Sequence, residues 1–223
     1  MENISKNVEK IRSKIPQEIK ILAAAKTRNA DEIIEVVKSG ITDIGENYVQ
    51  ETDEVFKRVN ETTNEKITWH MIGHLQRNKV KDALKLFDVI QSMDSFRLAR
   101  EINKRAKKAN IVVPAFIEIN SGKEEQKHGI MPDKFEDFIE KIKDYSHLRI
   151  EGIMTMGPLF ENPEELRPYF KLTRELYEKA KQIEQDNLDV KWLSMGMTDS
   201  YLIAVDEGAN MIRIGTALFG PRD

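Results

Sequence analysis

Cysteine is missing from all 223 residues of the chain. That excludes a disulfide framework, a thiol nucleophile and any metal site built on thiolates. An excess of charge is missing too: 35 Lys and Arg stand against 38 Asp and Glu, for a net charge of -3 with no long block of either sign. Phosphate-backbone binding needs a concentrated basic surface, so no nucleic acid is expected as a partner. No apolar run approaches the roughly 18–20 residues of a membrane span, and no membrane is expected either. The opening stretch MENISKNVEKIRSKIP lacks the apolar core of a secretory leader and reads as a polar helix ended by Pro16. Linkers, low-complexity segments and solenoid repeats are absent. These absences point to a cytoplasmic, soluble, globular protein with the length of one large domain or two small ones.

What the chain does have is a rhythm. Apolar or alternating runs occur at 19–25, 41–44, 67–72, 87–91, 111–119, 148–154, 190–193 and 211–214. Their spacing is too wide for hairpins, and the stretches between them carry helical spacing and helical start signals. Asn29-Ala30-Asp31-Glu32 and Asn47-Tyr48-Val49-Gln50 read as capping boxes, and Asn162-Pro163-Glu164 as a cap followed by proline at the first helical position. Gly40 and Gly208 fall where helices should stop. Eight strand–helix units in this length predict an α/β fold, a single-domain (β/α)8 TIM barrel over residues 1–223 with an extra N-terminal helix. A doubly wound sheet would want a glycine-rich turn after its first strand. The first run ends instead in Lys26-Thr27-Arg28-Asn29.

Function in such barrels gathers at the C-terminal ends of the strands. Lys26 stands alone at the first of these ends, after the small apolar residues Ala23-Ala24-Ala25. An ammonium at the rim of a core is poorly solvated, and a neutral amine is the nucleophile that captures aldehydes and ketones. The alternative is a strand-end lysine that turns out to solvent. Ends seven and eight carry glycine beside hydroxyls, in Ser194-Met195-Gly196-Met197-Thr198 and in Gly215-Thr216. Barrels commonly hold phosphate at this place, on backbone N–H groups. Thr198-Asp199 also reads as an ordinary helix cap. A carbonyl-reactive lysine facing a phosphate cradle suits a phosphorylated aldehyde, and pyridoxal 5'-phosphate fits. Arg213 has the parity to point into the same mouth.

These motifs bring a resemblance into view. Ala25-Lys26-Thr27, Gly45-Glu46-Asn47-Tyr48-Val49-Gln50, His70-Met71-Ile72-Gly73-His74, Gly152-Ile153-Met154-Thr155-Met156, Leu193-Ser194-Met195-Gly196-Met197-Thr198-Asp199 and Arg213-Ile214-Gly215-Thr216 follow in order. The chain resembles, nearly end to end, the YggS/PROSC family of pyridoxal phosphate homeostasis proteins, whose barrel is similar to the N-terminal domain of alanine racemase. The resemblance implies pyridoxal 5'-phosphate as a covalent aldimine on Lys26, with Arg213 as partner of the pyridine nitrogen. It implies Ser194, Gly196, Thr198, Gly215 and Thr216 as the phosphate site, with Asn47 near the cofactor. Thr198 stands where most relatives are expected to have serine, and the hydroxyl survives.

The methionines at 154, 156, 195 and 197 read as pocket wall and core, with Met154 the candidate for cofactor contact. His70 and His74 straddle the end of the third run with Gly73 between them; no metal is expected there, and a loop-ordering or pocket-lining role is. Glu46 reads either as an acid behind the site or as a first-turn helix acid. The function expected is to hold the reactive aldehyde reversibly in intracellular vitamin B6 homeostasis, without catalysis of its own. The expected partners are the small molecule and, as candidate recipients, PLP-dependent apo-enzymes; a monomer is expected. One rival is an amino-acid racemase of low activity, which needs two positioned acid–base groups, with Tyr48 and Tyr201 as candidates for the second. A more distant rival is a Schiff-base aldolase acting on a sugar phosphate.

Overall fold

The computed structural model describes residues 4–221, so residues 1–3 and 222–223 of the expected domain lie outside the described residues. Strands β1 (Lys20–Ala24), β2 (Asp43–Glu46), β3 (Thr68–Met71), β4 (Val89–Met93), β5 (Val113–Ile119), β6 (Leu148–Thr155), β7 (Leu188–Ser194) and β8 (Met211–Ile214) follow the eight expected runs. All are parallel and close into a barrel in chain order, with Leu22 opposite Asp43 on one side of β1 and Lys20 opposite Met211 on the other. Around them lie α2 (Ala30–Lys38), α3 (Val49–Thr62), α4 (Val80–Leu86), α5 (Phe96–Ala109), α6 (Phe135–Lys141), α7 (Arg167–Lys181), α8 (Tyr201–Asp206) and the short α9 (Thr216–Phe219). The extra N-terminal helix is α1 (Ile4–Arg12). It buries Ile4, Val8 and Ile11 along one stripe, and Asn7 Nδ2 donates to the Leu218 carbonyl at 2.9 Å. Among the described residues, no helix is long and apolar enough to cross a membrane.

Local signals set some boundaries and mislead at others. The Asn29 box forms in both directions: Glu32 N–H donates to Asn29 Oδ1 at 3.0 Å, and Asn29 N–H donates to Glu32 Oε2 at 2.9 Å. Asn162 Oδ1 accepts from Glu164 N–H at 3.2 Å. The second expected box does not form. The chain stays extended through Tyr48, which takes the cap position of α3 without a side-chain bond, and Asn47 falls one residue short of the helix. Likewise α8 is preceded by Ser200, so Thr198 and Asp199 do not cap it.

Period-2 alternation gives the barrel two cores. Ile21, Ala23, Ile44, Trp69, Ile90, Ile117, Ile153, Leu193, Ile212 and Ile214 face outward and pack against the helices. Inside, Leu22, Val89, Phe116, Met154 and Met211 form a smaller cluster. The rest of the interior is polar and continuous. Lys20 Nζ donates to Asp43 Oδ1 at 3.1 Å, and His70 Nε2 meets the same oxygen at 2.9 Å. Gln91 Nε2 lies 3.0 Å from His70 Nδ1, and Ser194 Oγ donates to Gln91 Oε1 at 2.8 Å. Because the Gln91 amide is the donor, His70 Nδ1 is the acceptor and its Nε2–H donates to Asp43. His70 is therefore an interior group of the barrel, held between Asp43 and Gln91.

Burial alone pushes the Asp43 carboxyl up, but hydrogen bonds from His70 and Lys20 and the charge of Lys20 outweigh it and hold the group below the ordinary carboxylate range. A depressed acid adds stability above its unfolded pKa of about 3.9, and that stability is lost as pH falls through the folded value. Asp43→Asn should thus be less stable than the parent near neutrality, by on the order of 3 kcal/mol. The gap between the two urea-unfolding free energies should shrink steadily below about pH 4. A gap that is constant from pH 7 to pH 3 would remove Asp43 as the source.

Candidate functional site

Lys26 sits two residues past β1, in a turn closed by Arg28 N–H to the Ala25 carbonyl at 2.8 Å. Thr27 holds that turn with φ +66, a left-handed conformation costly for a β-branched residue. The Lys26 side chain is half-buried, and its Nζ lies 5.2 Å from the centre of the Tyr48 ring, over its face. It opens on a cavity of about 330 Å3 at the barrel mouth. Asn47, Thr198, Arg213, Gly215 and Thr216 line the same cavity, together with Ala24, Ile72, Met156, Met197 and Asp199. The ends of β1, β2, β7 and β8 are thereby brought together.

Each wall has a local cause. Asn47, released from capping, packs against the loop after β3. A Cβ at Gly73 would come within 2.5 Å of the Asn47 carbonyl oxygen and 2.7 Å of its Cα, so only glycine lets that loop approach. Arg213 is 3% exposed and lies on the inward face of β8. Its Nη1 donates to the Ser194 carbonyl at 2.7 Å and to Ser194 Oγ at 2.9 Å, and its Nη2 donates to the Thr155 carbonyl at 2.7 Å. Burial pulls the guanidinium down to about 10, and the Glu118 carboxylate works against that pull. It remains a cation at neutral pH. Thr198 Oγ1 accepts from Ala217 N–H at 3.2 Å and so ties the loop after β7 to the start of α9.

Three expected site residues stand outside the cavity wall. Ser194 is fully buried and spends its hydroxyl on Gln91 and Arg213, so it positions the arginine. Met154 belongs to the interior apolar cluster; two residues on, Met156 reaches the mouth, with Sδ 3.4 Å from Arg213 Nη2. Gly196 has φ +87, its carbonyl accepts from Arg213 N–H at 3.0 Å, and a Cβ there would lie 2.5 Å from the Ala204 methyl. Its place is against α8.

Glu118 is a further titratable group at the mouth, one that no sequence motif marks. It lines an adjoining cavity of about 370 Å3, whose walls share Met156 and Met197 with the first. Burial, reinforced by Asp94, pushes its carboxyl up to about 7 against the pull of Arg213. The signal was present in the alternation of VPAFIEI, which puts Glu118 on the inward face of β5 with Phe116. Glu46 is the last residue of β2 and lies outside the first turn of α3. Burial takes its carboxyl to about 7, with Glu51 adding to the rise and the Asn47 N–H opposing it.

The family model for the N-terminal domain of alanine racemase matches residues 1–223. The pyridoxal phosphate homeostasis protein of Aquifex aeolicus is 40% identical over 203 residues, covering 91% of this chain and 87% of that protein. The structure of PipY from Synechococcus elongatus without PLP superposes with a TM-score of 0.90 at 29% identity, over 97% of this chain and 100% of PipY. The structure of PipY with PLP bound gives a TM-score of 0.84 over the same shares of the two chains.

Proposed function

This chain belongs to the family of pyridoxal phosphate homeostasis proteins, and from that premise we propose that it binds pyridoxal 5'-phosphate covalently and reversibly through Lys26, limiting the free concentration of a reactive aldehyde. The observation that carries the reading is one cavity at the mouth. It sets the Lys26 amine among Arg213 and the hydroxyl-bearing ends of β7 and β8. The donor set fits the cofactor, and about 330 Å3 lies within the range of small-molecule pockets. Arg213, always cationic near neutrality, can only donate, which suits an unprotonated pyridine nitrogen. Thr216, Gly215 and Thr198 supply hydroxyl and backbone donors for phosphate. Ile72, Met156 and Met197 give apolar wall for a ring, and Tyr48 keeps the Lys26 amine at the mouth. When bound, pyridoxal phosphate supplies an electrophilic aldehyde and an electron-withdrawing ring. Action as a cytoplasmic monomer that passes the cofactor to apo-enzymes extends the same proposal.

The reading is non-catalytic because racemisation needs a second acid–base group opposite the lysine. Tyr48 presents its ring face to the lysine itself, and Tyr201 is buried, which raises its hydroxyl pKa. One observation favours weak racemase chemistry: Glu118, in the adjoining cavity, has its carboxyl raised to about 7 by burial, in the range where a carboxyl can exchange protons near neutrality.

Lys26→Ala should fold with unchanged circular dichroism, lose the yellow colour of the bound cofactor, and show no borohydride-fixed mass gain; fixation on another lysine would refute the assignment. Thr216→Ala should weaken pyridoxal phosphate binding by about tenfold or more while sparing pyridoxal, since a hydrogen bond to a charged group is worth ~1.5–3 kcal/mol. Ser194→Ala, acting through Arg213, should weaken both ligands alike. Equal losses in the Thr216 variant would count against the cradle. In deuterated buffer with single L-amino acids, α-proton exchange should stay far below about 1 per second. Turnover near that rate, abolished by Glu118→Gln, would make the protein an enzyme.

A further inference from the structure

On the opposite side of the mouth, three residues from three different segments converge. His74 follows β3, Asp94 follows β4, and His128 lies in the loop between β5 and α6. His74 Nδ1 is 2.9 Å and His128 Nδ1 3.4 Å from the same oxygen, Asp94 Oδ2. The two imidazoles stack with centroids 3.7 Å apart and 11° between their planes. The Asp94 side chain is 7% exposed, whereas the rings are 42% and 55% exposed. A buried carboxylate is thus aimed outward at two accessible imidazoles. The cluster borders a cavity of about 660 Å3 that gives solvent access and that none of Lys26, Arg213 or Thr216 lines.

We propose that His74, Asp94 and His128 form a binding site for a borderline divalent transition-metal ion of the zinc type, separate from the Lys26 cavity. Ligand atoms around a tetrahedral zinc at ~2.0–2.1 Å stand about 3.3 Å from one another. The two nitrogen–oxygen separations, 2.9 and 3.4 Å, bracket that edge. Two imidazoles and one carboxylate are a donor set that suits zinc over calcium or magnesium, which prefer all-oxygen shells. The stacked rings must open well away from their parallel arrangement for both in-plane lone pairs to converge on one ion. Both are exposed, and the terminal torsion of histidine is soft, which leaves the rings room to turn. Three protein ligands leave a fourth position facing the cavity. Arg77, Arg97 and Lys127 also line it; they oppose a bare dication and favour an anionic ligand at that position. His74 and His128 are 54 positions apart, which is why no spacing motif announces the site.

The test is a Zn2+ titration by calorimetry of the untagged, cofactor-loaded full chain after dialysis against a chelator. We expect one ion per chain with a dissociation constant in the micromolar range or below. His74→Ala and His128→Ala should each weaken binding at least tenfold with unchanged thermal melting, since both rings are exposed. His147→Ala, a half-buried histidine elsewhere, should leave binding unchanged, and so should Lys26→Ala, titrated without cofactor. Absence of saturable binding, or affinity equal to the parent's in the His74 and His128 variants, would overturn the proposal. So would loss of binding in the Lys26 variant, which would place the ion in the other cavity; that variant also keeps this outcome distinct from any failure of the cofactor reading.

Discussion

A guanidinium inside a barrel is expensive unless every direction of its charge is answered. Arg213 is answered by the carbonyls of Ser194 and Thr155, by the Ser194 hydroxyl and, at longer range, by Glu118. Those contacts fix the ends of β6, β7 and β8 relative to one another, because the groups that satisfy the cation are themselves strand ends. Behind Ser194 the chain of hydrogen bonds continues through Gln91 and His70 to Asp43 and Lys20. The interior is therefore a polar column with apolar filling, and the column has few alternative arrangements because each member's donor and acceptor roles are set by its neighbour.

The same column decides which residues are free to meet a ligand. Ser194 and the Gly196 carbonyl are consumed in holding Arg213, so the hydroxyls left at the cavity are those of Thr198 and Thr216. Thr198 in turn ties two loops through the Ala217 N–H. The mouth is thus divided. One side joins β1, β2, β7 and β8 around Lys26. The other joins the segments after β3, β4 and β5 around Asp94, with Glu118 between them under the influence of both Arg213 and Asp94. A change of charge at Asp94 is felt at Glu118, which gives the two halves an electrostatic link without a shared ligand.

The eight strands were readable because each must bury its outward face against helices, and that demand writes an apolar run into the chain. Asn29 and Glu32 announced their cap because both groups lie within one helical turn. Asn47 offered the same local pattern and went elsewhere, since packing of the Gly73 loop against it holds the chain extended for one more residue. Met154 and Met156 have the same parity and similar neighbours. Only the height of the strand within the barrel makes one core and the other cavity wall. Glu118 was written in the alternation of β5, but an acid on an inward face looks the same whether it ends in solvent or near Arg213.

By itself the sequence determined the fold, the position of a lone amine at the first strand exit and the glycine–hydroxyl loops at the last two. These are consequences of hydrophobic period, turn chemistry and composition, all local to a few residues. The tertiary structure alone decided that Ser194 supports an arginine while Thr216 faces the cavity. It alone decided that His70 is buried while His74 is exposed, and that His74, Asp94 and His128 share one point in space. The reason is physical. Which donors remain unspent, and which distant side chains meet, depends on the closure and stagger of the barrel, and those are properties of the whole ring of strands that no single segment carries.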